Sequence, residues 1–235
     1  MVERKAIIVG ASGGIGTAVA VALAREGISS ALIGRNPEKL TENANACIEA
    51  GEYAFPLICD ISQTETIKDT VAEAIDKLGG LNFLVNCAGA SIHSKLHEAD
   101  LEDCDAIIDT NLKAHYYLAR HCLPEINKAP GGAIIKIGSV NAPYSRANTY
   151  TASNQGLRAY AEVLFEDVRE FGTRVCTIMP GYVNTELVRS DKLNSDLMIQ
   201  PEDIAQTVLF VLSMAGTACP TEISILPQRS PYRNL

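Results

Sequence analysis

The chain has 235 residues, 47% of them hydrophobic and 20% charged, which is enough apolar material for one sizeable core and too much for a disordered segment. A formal charge of −8 argues against a nucleic-acid surface, which needs a basic face to displace counterions. Seven cysteines with no Cys-x-x-Cys pair point to neither a disulfide framework nor a zinc site, and a reducing cytoplasm fits them best.

The N-terminal MVERKAIIVGAS passes from charged residues into only a few apolar ones, too short for the apolar region of a signal peptide. No stretch approaches the roughly 20 apolar residues that a membrane span needs. In chain order, KAIIVG, SSALIG, AFPLIC, LNFLVN, AIIKIG, RVCTIM and EISILP are seven candidate strands, and five are near-continuously apolar. Strands read this way when helices cover both faces of their sheet. Between them, segments such as GTAVAVALAREG and TETIKDTVAEAIDKLG repeat apolar residues at helical spacing. The alternation predicts an α/β domain with a parallel, doubly wound sheet. No composition shift or internal repeat divides residues 1–235, and NKAPGG at 127–132 reads as a loop before the fifth strand.

The first βα turn is Gly10-Ala-Ser12-Gly-Gly14-Ile15-Gly16, between the strand AIIV and the helix TAVAVALA. Glycines there let backbone approach a pyrophosphate, and the unpaired N–H groups and dipole of the helix favour its charge. A glycine cluster alone is weak evidence, but its place in the βα pattern strengthens it. The second strand ends at Gly34-Arg35, where an acid would bind the ribose hydroxyls of NAD. A guanidinium instead suits the 2′-phosphate of NADP, so Arg35 favours NADP over NAD. Asp60, with Ile61 beside it, follows the third strand in place to meet the adenine; a helix cap is its other reading.

Gly10-x3-Gly14-x-Gly16, Asn86-Cys-Ala88-Gly89, Asn111, Ser139, Tyr150 and Pro180-Gly181 occur in that order over nearly the whole chain. This ordered set resembles the short-chain dehydrogenase/reductase family. The resemblance implies a seven-stranded Rossmann sheet, a small-molecule carbonyl or alcohol substrate, and assembly as a homodimer or homotetramer. It assigns Asn86, Ala88 and Gly89 to the wall of the adenosine ribose, with Cys87 in place of a usual asparagine. Asn111 would hold a proton-relay water on its backbone carbonyl. Val183 and Thr185, after Pro180-Gly181, would hold the nicotinamide carboxamide. Ser139 would steady the substrate oxygen while Tyr150 exchanges its proton.

Asn154 departs from the pattern, because the family has lysine four positions after the tyrosine, on the same helix face. That ammonium favours the phenolate and binds the nicotinamide ribose; Asn154 offers only an amide on a shorter arm. Alcohol oxidation needs the tyrosine as a base and suffers directly, whereas carbonyl reduction asks for a proton that the phenol already carries. Lys136 and Lys113 are poor substitutes. Lys136 lies three positions before Ser139, so strand alternation turns it to the other face, and Lys113 lies off the Asn111 face. His93 and His97 have helical metal spacing but no third ligand nearby, so no metal is expected, and His115 and His121 read as packing.

Three readings follow: an NADP-dependent carbonyl reductase with a naturally lysine-free site, an ordinary reductase carrying an introduced substitution, or a catalytically silent dinucleotide-binding regulatory or scaffold protein. The short segment LVRSDKLNSDLMIQ reads as a substrate lid over an open pocket. The C-terminus lacks the family's frequent Val-Asp-Gly-Gly close and resembles the branch of broad-range carbonyl reductases and 3-hydroxy-acid dehydrogenases. Asn141, Tyr144 and Tyr182 are placed at the pocket by their loops.

Overall fold

The computed structural model of the chain describes residues 3–91, 96–140, 148–188 and 190–232. Each apolar run of the sequence is a strand: β1 (Arg4–Val9), β2 (Ile28–Gly34), β3 (Ala54–Ile58), β4 (Phe83–Asn86), β5 (Ala133–Ile137), β6 (Arg174–Pro180) and β7 (Glu222–Ile225). All neighbouring pairs are parallel, in the order β3-β2-β1-β4-β5-β6-β7. The expected seven-stranded, doubly wound Rossmann sheet is therefore observed. Only the two rims face solvent, and the edge strand β7 alternates accordingly between exposed and partly buried residues.

Two apolar cores flank the sheet. One face of β1, β2, β4, β5 and β6, including Ile8, Leu32, Val85, Ile135 and Ile178, packs beneath α1 (Gly14–Arg25), α2 (Pro37–Glu49) and α7 (Pro201–Ser213). The opposite face, including Ile7, Ile33, Leu84, Ile134 and Val175, packs beneath α3 (Thr64–Leu78), α5 (Ala114–Ile126) and α6 (Asn148–Val168). Each fully buried Leu or Ile contributes about 1.5–3 kcal/mol, so a one-residue slip of any central strand would forfeit both cores at once. A shorter helix, α4 (Leu101–Ile108), precedes α5.

The two halves of the winding meet between β1 and β4. There the chain turns outward in opposite directions and leaves a crevice beyond the carboxyl ends of the strands. Register fixes what surrounds it: Val9 lies opposite both Ile33 and Asn86, so Gly10, Gly34 and Cys87 leave the sheet along one rim.

Candidate active site

A cleft of about 470 Å³ occupies that crevice, walled by the glycine turn, Gly34-Arg35, Asp60-Ile61, Cys87–Ala90 and Thr185–Leu187. A larger concavity of about 820 Å³ lies between α7 and the end of β7, lined by Asp203 and Phe210 of α7 and by Ile225 with the residues that follow it. The smaller cleft is the candidate because it collects backbone donors. Helix α1 begins at Gly13 without a side-chain cap and without an acid in its first turn, so its leading N–H groups are left for an anion. Gly10, at φ +74°, sits so close to the β4 wall that a Cβ would lie 2.6 Å from the Ala88 nitrogen. Only a glycine permits that backbone and that contact. Asn43 of α2 steadies the turn, donating to the Ala11 carbonyl at 2.7 Å and to Thr17 Oγ1 at 2.8 Å. Sequence reasoning had no signal for Asn43, since only packing of α2 against α1 brings it there.

The cleft brings together Ser12, Arg35, Asp60, Ile61, Ala88, Gly89 and Thr185 with the glycine turn, whereas Asn86, Pro180, Gly181, Val183 and the Tyr150 and Asn154 side chains are not part of its lining. At Gly34 a Cβ would come 2.9 Å from Ser12 Oγ, so a larger side chain at this position would require the Ser12 hydroxyl to turn away. Arg35 follows at the mouth with its side chain 79% exposed, and Asn36 then caps α2 by accepting from the Lys39 N–H. Asp60 combines two readings. Its Oδ1 closes a local turn by accepting from Ser62 N and Oγ, while Oδ2 lies 3.9 Å from Arg35 Nη1. Thr185 crosses the cleft to within 3.1 Å of where a Gly14 Cβ would be, and its N–H donates to the Val183 carbonyl. Lys39 and Glu186, 147 positions apart, form an exposed ion pair at 3.3 Å over the same opening.

Asn86 accepts the Ala88 N–H on Oδ1 at 2.9 Å, and its Nδ2 meets the buried His115 ring of α5 at 3.2 Å. Burial pushes His115 well below its usual range, so it stays neutral there as an acceptor for Asn86. Asn111 is buried in a π-helical turn, Asp109–Lys113, between α4 and α5. Its side chain brackets Ala90, accepting the N–H and donating to the carbonyl at 2.8 Å each, and donates to Ser153 Oγ at 3.2 Å. A π turn is a frequent mark of a functional site, because it frees backbone groups from the regular helical ladder.

Tyr150 lies in the first turn of α6, after a loop whose Asn141 and Tyr144 are outside the described residues, as is His93. Burial pushes the Tyr150 phenol up, and hydrogen bonds from the side chains of Ser139 and Asn154 pull in the opposite direction. These three residues therefore form one cluster. Asn154 is buried, donates to the Tyr150 carbonyl at 2.9 Å, and sets its Oδ1 over Gly138. Among the described residues no cation acts on the phenol.

Lys136 corrects the alternation argument. Lys136 faces the α5 and α6 layer that holds Tyr150 and Asn154, and Ser139, two residues beyond the end of β5, meets the Tyr150 phenol of that same layer. Lys136 is buried and donates to the Ala88 carbonyl at 2.5 Å. A lysine inside the apolar run AIIKIG was a signal in itself, because a fully buried lysine needs a partner. Lys113 pairs with Asp109 on the surface, and the exposed His97 lies beside Glu98. Tyr182 hydrogen-bonds Tyr232 of the C-terminal segment at 2.6 Å. Among the described residues no group of three or more metal-ligating side chains occurs, and no helix is long and apolar enough to cross a membrane.

The family model described as short chain dehydrogenase matches residues 4–196. An uncharacterized oxidoreductase of Staphylococcus aureus (strain USA300) is 29% identical over 229 residues, 97% of this chain and 98% of the relative. The crystal structure of a metagenomic short-chain oxidoreductase in complex with NADP is 30% identical, with a TM-score of 0.84 over 97% of this chain and 98% of that one. A dehydrogenase/reductase from Sinorhizobium meliloti 1021 is 27% identical, with a TM-score of 0.89 over 97% and 95% of the two chains.

Proposed function

The chain belongs to the short-chain dehydrogenase family, and we propose that within it this oxidoreductase uses NADP(H) to interconvert a carbonyl and an alcohol, with reduction the favoured direction. The observation that carries the reading is the Ser139–Tyr150–Asn154 cluster, hydrogen-bonded together beyond the end of β5, in a chain whose glycine turn leads into an uncapped helix at the cleft.

The residues fit the cofactor. The leading N–H groups of α1 and the close glycine backbone would hold a pyrophosphate, and Arg35, beside a Gly34 that carries no acid, would hold a 2′-phosphate. Ile61 and Asp60 would flank the adenine, Asn86 with Ala88 and Gly89 a ribose, and Val183 and Thr185 the carboxamide beyond Pro180-Gly181. When bound, the dinucleotide supplies or accepts the hydride. Ser139 donates a hydrogen bond to the substrate oxygen, and Tyr150 gives that oxygen its proton during reduction. Burial keeps the phenol protonated, so the donor form is the resting one. Asn154 orients the phenol without supplying charge, and the π turn at Asn111 offers a carbonyl for the water that reloads Tyr150. In oxidation Tyr150 must first lose a proton with no cation among the described residues to assist, which is why that direction is the weaker.

Exposed Leu101, Tyr116, Tyr117 and Val163 on α4, α5 and α6 support self-association as a homodimer or homotetramer. The test of the cofactor and direction is equilibrium binding of NADPH and NADH by nucleotide fluorescence, then NADPH oxidation with a panel of aldehydes and ketones. Tighter binding of NADPH, with slow turnover of at least one carbonyl, is expected. Binding without turnover, unrelieved by Asn154→Lys, would instead support a regulatory dinucleotide sensor. Absence of NADPH binding would sink both.

A further inference from the structure

Ala88 is where three contacts meet. Its nitrogen is held by Asn86 Oδ1, its backbone is the surface against which Gly10 closes, and its carbonyl accepts from Lys136 Nζ. The first two contacts lie along the rim of the cleft, whereas the third comes from the floor, up through the sheet from β5. Lys136 is placed for this by register, opposite Asn86 on one side and Thr177 on the other.

We propose that Lys136 is a positioning residue for the dinucleotide: its ammonium anchors the Ala88 carbonyl and so keeps the β4 wall seated on the glycine turn. This rests on the NADP(H) reading above. The lysine does not touch the cofactor and acts through Ala88. It also does not replace the cation missing at position 154, since its Nζ is engaged by the Ala88 carbonyl.

The surroundings make the anchor titratable. Burial pushes Lys136 down to about 7. The groups facing it are Asn86 and Cys87 from the end of β4, His115 from α5, Thr177 from β6, and Leu157 and Tyr160 from α6. None is a carboxylate. Cys87 is itself pushed up to about 12 by burial and His115 is held neutral, so neither carries charge near neutrality. Thr177 Oγ1 has no hydrogen-bond partner among the described residues. It lines, with Lys136 and His115, a cavity of about 20 Å³ that has room for one water molecule. As pH rises through the neutral range the ammonium becomes an amine, and a charge-assisted hydrogen bond becomes an ordinary one of about half the strength.

The experiment is NADPH affinity, followed by fluorescence from pH 6.5 to pH 8.5, in the unsubstituted protein, Lys136→Met and Lys136→Gln. The unsubstituted protein should weaken about three- to tenfold across this range, the difference between the two kinds of hydrogen bond. The variants should bind more weakly at pH 6.5 and lose the step, because neither side chain titrates. A residue that served packing alone would change thermal stability and leave the step in place. A flat profile in the unsubstituted protein overturns the proposal without needing any variant to fold, as does a step that survives in a folded variant. Failure of the unsubstituted protein to bind NADPH at any pH overturns this proposal and the cofactor reading together, whereas binding with a flat profile overturns this one alone.

Discussion

Replacing Asn154 with lysine returns a cation to the Tyr150 cluster, and its consequences differ for the two directions of reaction. The asparagine is 4% exposed, donates to the Tyr150 carbonyl and also meets the phenol, so a longer side chain from the same Cα reaches past the ring toward the cleft. A unit charge at roughly 4 Å in a protein environment is worth about 4 kcal/mol, and each 1.4 kcal/mol is a tenfold change in phenolate population. Desolvating the new ammonium, in a layer that already holds Lys136, removes part of this, and about 10²-fold more phenolate at pH 7 is a reasonable net. Alcohol oxidation needs that phenolate and should accelerate by about 10²-fold, with its basic limb displaced to lower pH. Carbonyl reduction starts from the phenol already present, so its gain, from better orientation, should be about tenfold or less. Steady-state kcat for NADPH oxidation and NADP reduction, on one carbonyl and its alcohol between pH 6 and pH 10, reads both. Equal acceleration in both directions, or an oxidation limb that does not move, would refute the idea that the missing charge limits this site.

Three other outcomes follow from the same geometry. Tyr150→Phe keeps the ring and removes the proton, so kcat for reduction should fall by about 10²–10⁴-fold while the NADPH dissociation constant stays within about twofold. Arg35→Gln should weaken NADPH by about 10- to 100-fold, the worth of a charge-assisted contact, and leave NADH nearly unchanged; equal losses for both would remove Arg35 from the 2′-phosphate. Lys136 also predicts a stability profile. Its pKa in the folded chain, about 7, lies below the ordinary 10.5, so between these values the unfolded chain holds a proton that the native one does not. Stability should therefore rise with pH from about 7 toward 10.5, and Lys136→Met, which removes the buried charge, should flatten the rise and stabilise the protein at pH 6 by about 1–4 kcal/mol. Thermal denaturation against pH checks this, and a midpoint that falls over that window would contradict it.

Much of the scaffold was legible because it obeys local rules. Runs such as KAIIVG and RVCTIM can be apolar on both faces only where helices cover both faces, and a glycine turn between such a strand and a helix has a defined use. The absence of an acid at Gly34 was readable, but its neighbour was not: Ser12, 22 positions earlier, turns its hydroxyl toward that position. Asn111 announced itself as an awkward residue within a helix, while the π turn that uses it depends on how α4 runs into α5. For Asp60, sequence left a choice between cap and ligand, and the fold engages one carboxylate oxygen in a local turn and leaves the other near Arg35.

By itself, then, the sequence determined the layered α/β architecture and the order in which the family's residues appear, since both depend on periodicity and on residue type at fixed spacing. Tertiary structure decided what the side chains meet. The face onto which Lys136 turns, the seam of Ala88 against Gly10, the tether from Asn43 and the pairing of Asn86 with His115 join residues distant in the chain. Strand alternation gave the wrong face for Lys136 relative to the site, because it says which way a side chain leaves the sheet and not which groups it then meets. Gly138 and Val140 still donate to Ile178 and Pro180 of β6, yet Ser139 between them reaches the Tyr150 phenol, and only the packed layers say which side chains share an environment.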